Sequence, residues 1–289
     1  MAVLAPPETE NSHAFVEVAG LLQSAGIAVP QILAVDYDQG FLLQSDLGDT
    51  LLQSVLDHSN VDDWYQKAMQ QLQAMLTLDA RRALPAYDAN ALQLELSYFC
   101  EWFVGELLGY VCSADEQKML AVFFNHLLSN AQQQPQVFVH RDYHCRNIMV
   151  TGNGELATID FQDAVCGPVT YDLVSLLRDC YVVWPQQKVR DWVAAYWQQM
   201  YQQNLVEVEQ ETFQRWFDLM GLQRHIKVLG IFARLSIRDN KHGYLQSLPT
   251  VIRYVLEVSR QHPQAQPFVN WFEVELLPLV RKQAWGQSL

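Results

Sequence analysis

Apolar residues recur at three- and four-residue spacing over most of the chain, with two short stretches where they alternate or cluster instead. In "NSHAFVEVAGLLQSAG" (11–26), Phe15, Val18, Leu21 and Leu22 share one helical face, Asn11 or Ser12 caps the start and Gly26 stops it. The next segment, "QILAVDYDQGFLLQSDLG" (31–48), holds two β-rich runs around the turn-forming "DQG" and predicts a hairpin. From Leu51 to about Ser129 the helical period returns in "VDDWYQKAMQQLQAMLTL", "ALQLELSYFCEWFVGELLG" and "ADEQKMLAVFFNHLLSN", three substantial helices. "QVFVH" and "LATIDF" read as short strands, and "GNG" at 152–154 is a turn signal between "NIMVT" and "ELATIDF". Beyond Tyr171 the pattern is helical, broken near Pro185, at "NKHG" (240–243) and at Pro263.

This order predicts an α+β chain with a small N-terminal lobe of helix plus hairpin over 1–46. A larger, mostly helical lobe follows over 47–289, with a small β-hairpin insert carrying a charged loop. At 289 residues and 50% hydrophobic content the chain can bury a full core. Its 19 Lys and Arg against 32 Asp and Glu leave a net charge of -13, and no Lys or Arg precedes Lys67. That balance argues against nucleic acid as a partner, because phosphate-backbone affinity is carried by clustered cations. Five cysteines without a CxxC pair suit reduced thiols. With no signal pattern and no apolar run of about 18 residues, the expectation is a cytoplasmic protein with no membrane partner. The pattern leaves the oligomeric state open.

The charged loop is "HRDYHCRN" (140–147). Three chemistries compete for it. His140, Asp142, His144 and Cys145 are possible zinc ligands, but no second Cys/His pair follows at ligand spacing. A solvated turn whose histidines cap neighbouring groups explains any one of these residues taken singly. Phosphoryl transfer needs a carboxylate to take the proton of the attacking hydroxyl and hard oxygen ligands for Mg²⁺. Asp142 can supply the first, Asn147 an amide oxygen, and Asp160 in "ATIDFQD" a second carboxylate that the hairpin folds back towards the loop.

His140-x-Asp142-x4-Asn147, a hairpin and then Ile159-Asp160-Phe161 resemble the catalytic and metal-binding segments of protein kinases, and more closely the aminoglycoside phosphotransferase-like small-molecule kinases. With "IDFQDAVCGPVTYDLVSLLRD" and "QRHIKVLGIFARLSIRDNKHGYL", the chain looks like the branch that phosphorylates the anomeric hydroxyl of N-acetylmuramate and N-acetylglucosamine during cell-wall recycling. The resemblance implies a two-lobed kinase-like fold, ATP and Mg²⁺ as cofactors and a small sugar as partner. It implies Asp142 as catalytic base, Asn147 and Asp160 as metal ligands, and Asp172 in "TYDL", with His140, as loop-stabilising. By the same resemblance Ser45, Asp46 and Leu47 form the hinge that meets the adenine edge, and Glu17 is the helix glutamate of the nucleotide site. Arg178, Arg224 and Arg234 are candidates to pair with a lactyl carboxylate or a sugar hydroxyl through a bidentate fork, Asp163 to touch the acceptor or a second metal, and Trp102, Tyr181, Trp184 and Trp192 to stack on a sugar face; salt bridges and core packing are the competing explanations. Kinases of another small alcohol (an aminoglycoside, choline or homoserine) and a non-catalytic kinase-like binding protein stay open as alternatives.

Kinases of this kind open with a glycine-rich hairpin over the phosphates and a strand lysine. Neither has a counterpart here, and "MAVLAPPE" reads as the end of the lysine-bearing strand, so the resemblance implies a truncated N-terminal β lobe. Losing backbone donors to a transferring group can cost on the order of 10²-fold in rate. The expected outcome is that this polypeptide binds ATP more weakly than a kinase with both elements, as read by calorimetry.

Overall fold

The computed structural model describes residues 1–8 and 10–289. In chain order its elements begin β1 (Ala2–Leu4), α1 (Ser12–Ser24), β2 (Ile32–Asp36), β3 (Phe41–Gln44), α2 (Leu52–Val55), α3 (Val61–Met75), α4 (Ala80–Ala83), α5 (Ala89–Tyr98) and α6 (Ala114–Gln133). The strands β4 (Gln136–Val139), β5 (Ile148–Val150), β6 (Leu156–Thr158) and β7 (Val165–Pro168) follow. Then come α7 (Tyr171–Leu177), α8 (Gln186–Gln202), α9 (Gln210–Arg238), α10 (Leu248–Ser259), α11 (Gln266–Trp271) and α12 (Leu277–Lys282). This is the α+β, protein-kinase-like plan expected from the sequence, with small N-terminal strands and a large helical remainder. No helix among the described residues is long and apolar enough to cross a membrane.

The chain forms two compact units, one of residues 1–86 and 135–210, the other of 87–134 and 211–289. In the first, β3 lies between β1 and β2 in an antiparallel sheet, and Asn11 caps α1 by accepting from the Ala14 amide at 3.1 Å. β5 and β6 make the predicted hairpin, pairing Ile148 with Thr158 and Val150 with Leu156. Gly154 closes its turn at φ +78°, a backbone conformation that costs glycine nothing.

β4 pairs with β7 in a separate two-stranded ladder, from Gln136 opposite Pro168 to Val139 opposite Val165. Sequence reading does not foresee β7, because "VCGP" has neither alternation nor a flanking turn signal, and pairing with β4 decides it. Two single bridges, Ala28 with Ala157 and Leu51 with Met149, tie earlier segments to the hairpin. Trp184 and Trp192 are buried here, their indole N–H groups donating to Tyr65 Oη at 3.0 Å and Asp62 Oδ1 at 2.8 Å. They are walls of the core.

The second unit is helical around an aromatic core: Phe123 stacks on Phe268 at 4.6 Å and Phe99 on Phe103 at 5.5 Å. Ser113 and Glu116 form a reciprocal capping box at the start of α6. α5 runs on as a π-helical stretch, Phe99–Leu107. Lys227 on α9 and Glu95 on α5 make a buried ion pair at 2.8 Å, with the Tyr87 hydroxyl also donating to Glu95.

Gly230 brings α9 against the end of α5, where a Cβ would sit 2.3 Å from the Tyr98 carbonyl carbon. Backbone cannot swing aside as a side chain can. Gly230→Ala is therefore expected to destabilise the fold by about 3 kcal/mol, measured by urea unfolding.

Candidate active site

The residues of the charged loop are placed by strand ends and by one buried carboxylate. Between β4 and β5 the chain must reverse, and Arg141 does so at φ +76°, a left-handed conformation that non-glycine residues rarely adopt. That twist turns two successive backbone N–H groups to one side. Asp172, in the first turn of α7 and 5% exposed, accepts both: His140 N at 2.6 Å and Arg141 N at 3.1 Å.

His140 is buried and uses both ring nitrogens. Nε2 lies 2.9 Å from the Ile159 carbonyl, which can only accept, so Nε2 carries the proton; Nδ1 then accepts the Asp142 amide at 3.3 Å. The geometry therefore requires a neutral imidazole. Burial also pushes the His140 pKa below its ordinary value of 6.5.

Downstream, the Asn147 side-chain amide donates to the Asp142 carbonyl and to Asp160 Oδ2, both at 3.1 Å. Asp160 follows β6 at φ +62°, and its Oδ1 accepts from Gln162 Nε2 at 3.0 Å. Asp142 and Asp160 are exposed, Asn147 is half-buried, and Phe161 is fully buried and stacked on Phe15 of α1 at 4.7 Å. The fold thus gathers Asp142, Asn147 and Asp160 into one polar group. Carboxylate and amide oxygens at a strand end and a loop are the donor set a hard divalent cation takes, and both Asp160 oxygens keep lone pairs beyond the amides they accept.

The rest of the loop is fastened from behind. Tyr143 is buried, its hydroxyl donating to the Ala68 carbonyl at 3.0 Å, and burial raises its pKa. The Cys145 amide and thiol both donate to Asp179 Oδ2, at 3.3 and 2.8 Å; burial, with the Asp179 charge after it, raises that thiol's pKa. Gln53 N donates to the Cys145 carbonyl at 3.0 Å. Sequence reading assigns no role to Asp179, the last residue of "IDFQDAVCGPVTYDLVSLLRD", or to Gln53, which is far upstream.

Of the other candidates, Ser45 follows β3 and exchanges hydrogen bonds with Gln31, its amide donating to the Gln31 carbonyl at 2.9 Å and its hydroxyl accepting the Gln31 amide at 2.8 Å. Asp46 accepts from Gly48 N at 2.9 Å, and Leu47 is half-buried between them. Glu17 is exposed on α1, Asp163 is exposed, and Arg178 is buried at the end of α7. Arg234 belongs to the second unit, its guanidinium 5.2 Å over the Tyr98 ring, and Arg224 is buried in that unit.

A kinase-like fold with this loop defines a small-molecule phosphotransferase, and the chain belongs to the phosphotransferase enzyme family whose sequence model (APH) spans residues 3–206. It is 41% identical over 261 residues to an N-acetylmuramate/N-acetylglucosamine kinase of Pseudomonas putida, covering 90% of this chain and 77% of that protein. The protein of the same name from Neisseria meningitidis is 36% identical over 268 residues, covering 91% and 79%. Among solved structures, an aminoglycoside 2''-phosphotransferase in complex with GDP and kanamycin has a TM-score of 0.60 at 17% identity, covering 86% of this chain and 82% of its own. Plasmodium vivax ethanolamine kinase also has a TM-score of 0.60, at 14% identity, covering 85% and 72%. These two show the shared fold.

The sign of the His140 contribution follows from its lowered pKa. As pH falls through about 6.5, the unfolded chain binds a proton that the folded imidazole refuses, so stability drops. The advantage in thermal midpoint of the wild type over His140→Gln is expected to shrink between about pH 7.5 and 5.5, as melts across that range would measure.

Proposed function

We propose that this protein transfers the terminal phosphate of ATP to the anomeric hydroxyl of N-acetylmuramate or N-acetylglucosamine, serving reuse of cell-wall amino sugars. One observation carries the choice of acceptor: the 41% identity across nine tenths of the chain to a kinase named for these two sugars. The chemistry is supported by the grouping of Asp142, Asn147 and Asp160 in one loop and strand end.

In this reading Asp142 takes the proton from the C1 hydroxyl as that oxygen bonds to the terminal phosphorus and the bond to ADP breaks. Its exposed carboxylate can reach an acceptor, and its backbone is held by His140 and Asn147. Asn147 Oδ1 and Asp160 would hold Mg²⁺, which when bound neutralises charge on the phosphates. Asn147 Nδ2 lies 3.1 Å from Asp160 Oδ2, so a rotation of the amide that presents Oδ1 instead is what a shared ligand requires. Asp172 and His140 keep the loop's shape, the Ser45–Leu47 segment with Glu17 serves the nucleotide, and Asp163 and Arg178 serve the acceptor.

Incubation with ATP, Mg²⁺ and either sugar is expected to give a sugar 1-phosphate by mass spectrometry. Asp142→Asn should lower turnover at least about 10²-fold while circular dichroism and the melting midpoint stay put. Absence of product with both sugars, against turnover of an aminoglycoside or choline, would reassign the acceptor; equal turnover by wild type and Asp142→Asn would remove the proposed base.

A further inference from the structure

The reading above leaves Arg146 without a role, although it lies between Cys145 and Asn147 in the same loop. Asn147 turns its side chain towards Asp142 and Asp160. Arg146, exposed beside it, is held by other groups. Its Nε donates to Gln53 Oε1 at 2.8 Å, and its guanidinium carbon stands 3.6 Å over the Tyr181 ring. Tyr181 is fixed in turn, because its amide donates to Asp179 Oδ1 at 2.8 Å while Asp179 Oδ2 accepts from Cys145. His144 meets the same ring edge-on at 5.4 Å. Gln53 is anchored by its backbone to the Cys145 carbonyl.

The guanidinium is thus oriented by a neutral amide and a ring face. In a chain with 32 acids and a net charge of -13, a carboxylate would be the ordinary partner for an exposed arginine. Here none pairs with it among the described residues, and neither terminal amino group is engaged. An amide and a ring fix direction without neutralising charge, and Nε is the only donor they use. What remains is a preset two-pronged donor, the shape that matches a carboxylate.

We propose that Arg146 sets acceptor specificity by binding a carboxylate on the sugar, which favours N-acetylmuramate, with its lactyl carboxylate, over neutral N-acetylglucosamine. This rests on the acceptor reading given under the proposed function. Phosphorylation of both sugars is followed with the full chain and its Arg146→Gln and Arg146→Lys variants, each checked by melting. For Arg146→Gln, the ratio of kcat/KM for N-acetylmuramate to that for N-acetylglucosamine is expected to fall about tenfold or more, through the sugar KM, as loss of a hydrogen bond to a charged group predicts. Arg146→Lys should fall between, since it keeps the charge and loses the fork; it decides the matter if the glutamine variant does not fold. An unchanged ratio overturns the proposal. So does a loss that falls equally on both sugars with a raised KM for ATP, which would assign the guanidinium to the nucleotide phosphates. Wild-type protein that phosphorylates neither sugar overturns the acceptor reading itself, a result distinct from either.

Discussion

The candidate site depends on one buried carboxylate receiving two consecutive backbone amides. Asp172 holds His140 N and Arg141 N, and it can do so only because Arg141 is left-handed. That conformation costs a non-glycine residue on the order of 1–2 kcal/mol. Two hydrogen bonds to an ionised acceptor, shielded from water, offset it. Everything after the bend inherits its direction from this contact, including the Asp142 amide that returns to His140 Nδ1 and the Asn147 side chain that braces the Asp142 carbonyl.

Support for the loop is divided by polarity. On its buried side, Tyr143 and Cys145 donate inward to Ala68 and Asp179, and burial keeps both groups protonated. Their task is attachment. On the open side stand Asp142, Asn147, Asp160 and Arg146, of which Asp160 and Arg146 leave acceptor and donor capacity unspent. Inward anchors and outward functional groups drawn from the same eight residues explain why the segment is so crowded with polar side chains. The same economy shows in His140, which joins β4, the loop and the end of β6 with two ring nitrogens, and only while neutral.

Much of this was readable from residues in order. The spacing of Asp142 and Asn147, the glycine turn at 152–154 and Ile159-Asp160-Phe161 together imply a loop, a returning hairpin and a second carboxylate beside it. Helix α1 and the β2–β3 hairpin follow from apolar period and turn residues. The ladder between β4 and β7 did not, since its partners lie about 30 residues apart and "VCGP" has no strand signature of its own. Trp184 and Trp192 could equally have faced a sugar, and only their donation to Tyr65 and Asp62 assigns them to the core.

Local pattern determined which elements form and which residue types gather in the loop, because period, turns and motif spacing act within a few residues. The sequence alone also marked the family, through a motif whose chemistry depends on spacing. Tertiary structure decided how the loop is held and which way each side chain leaves it. Asp172, Asp179, Gln53 and Tyr181 reach it from elsewhere in the chain, and a hydrogen bond or stacked ring depends on distance in space, which no local spacing records. Arg146 carries that difference most plainly: in the sequence it is one more cation in a crowded stretch, and in the fold it is a guanidinium aimed by two distant residues.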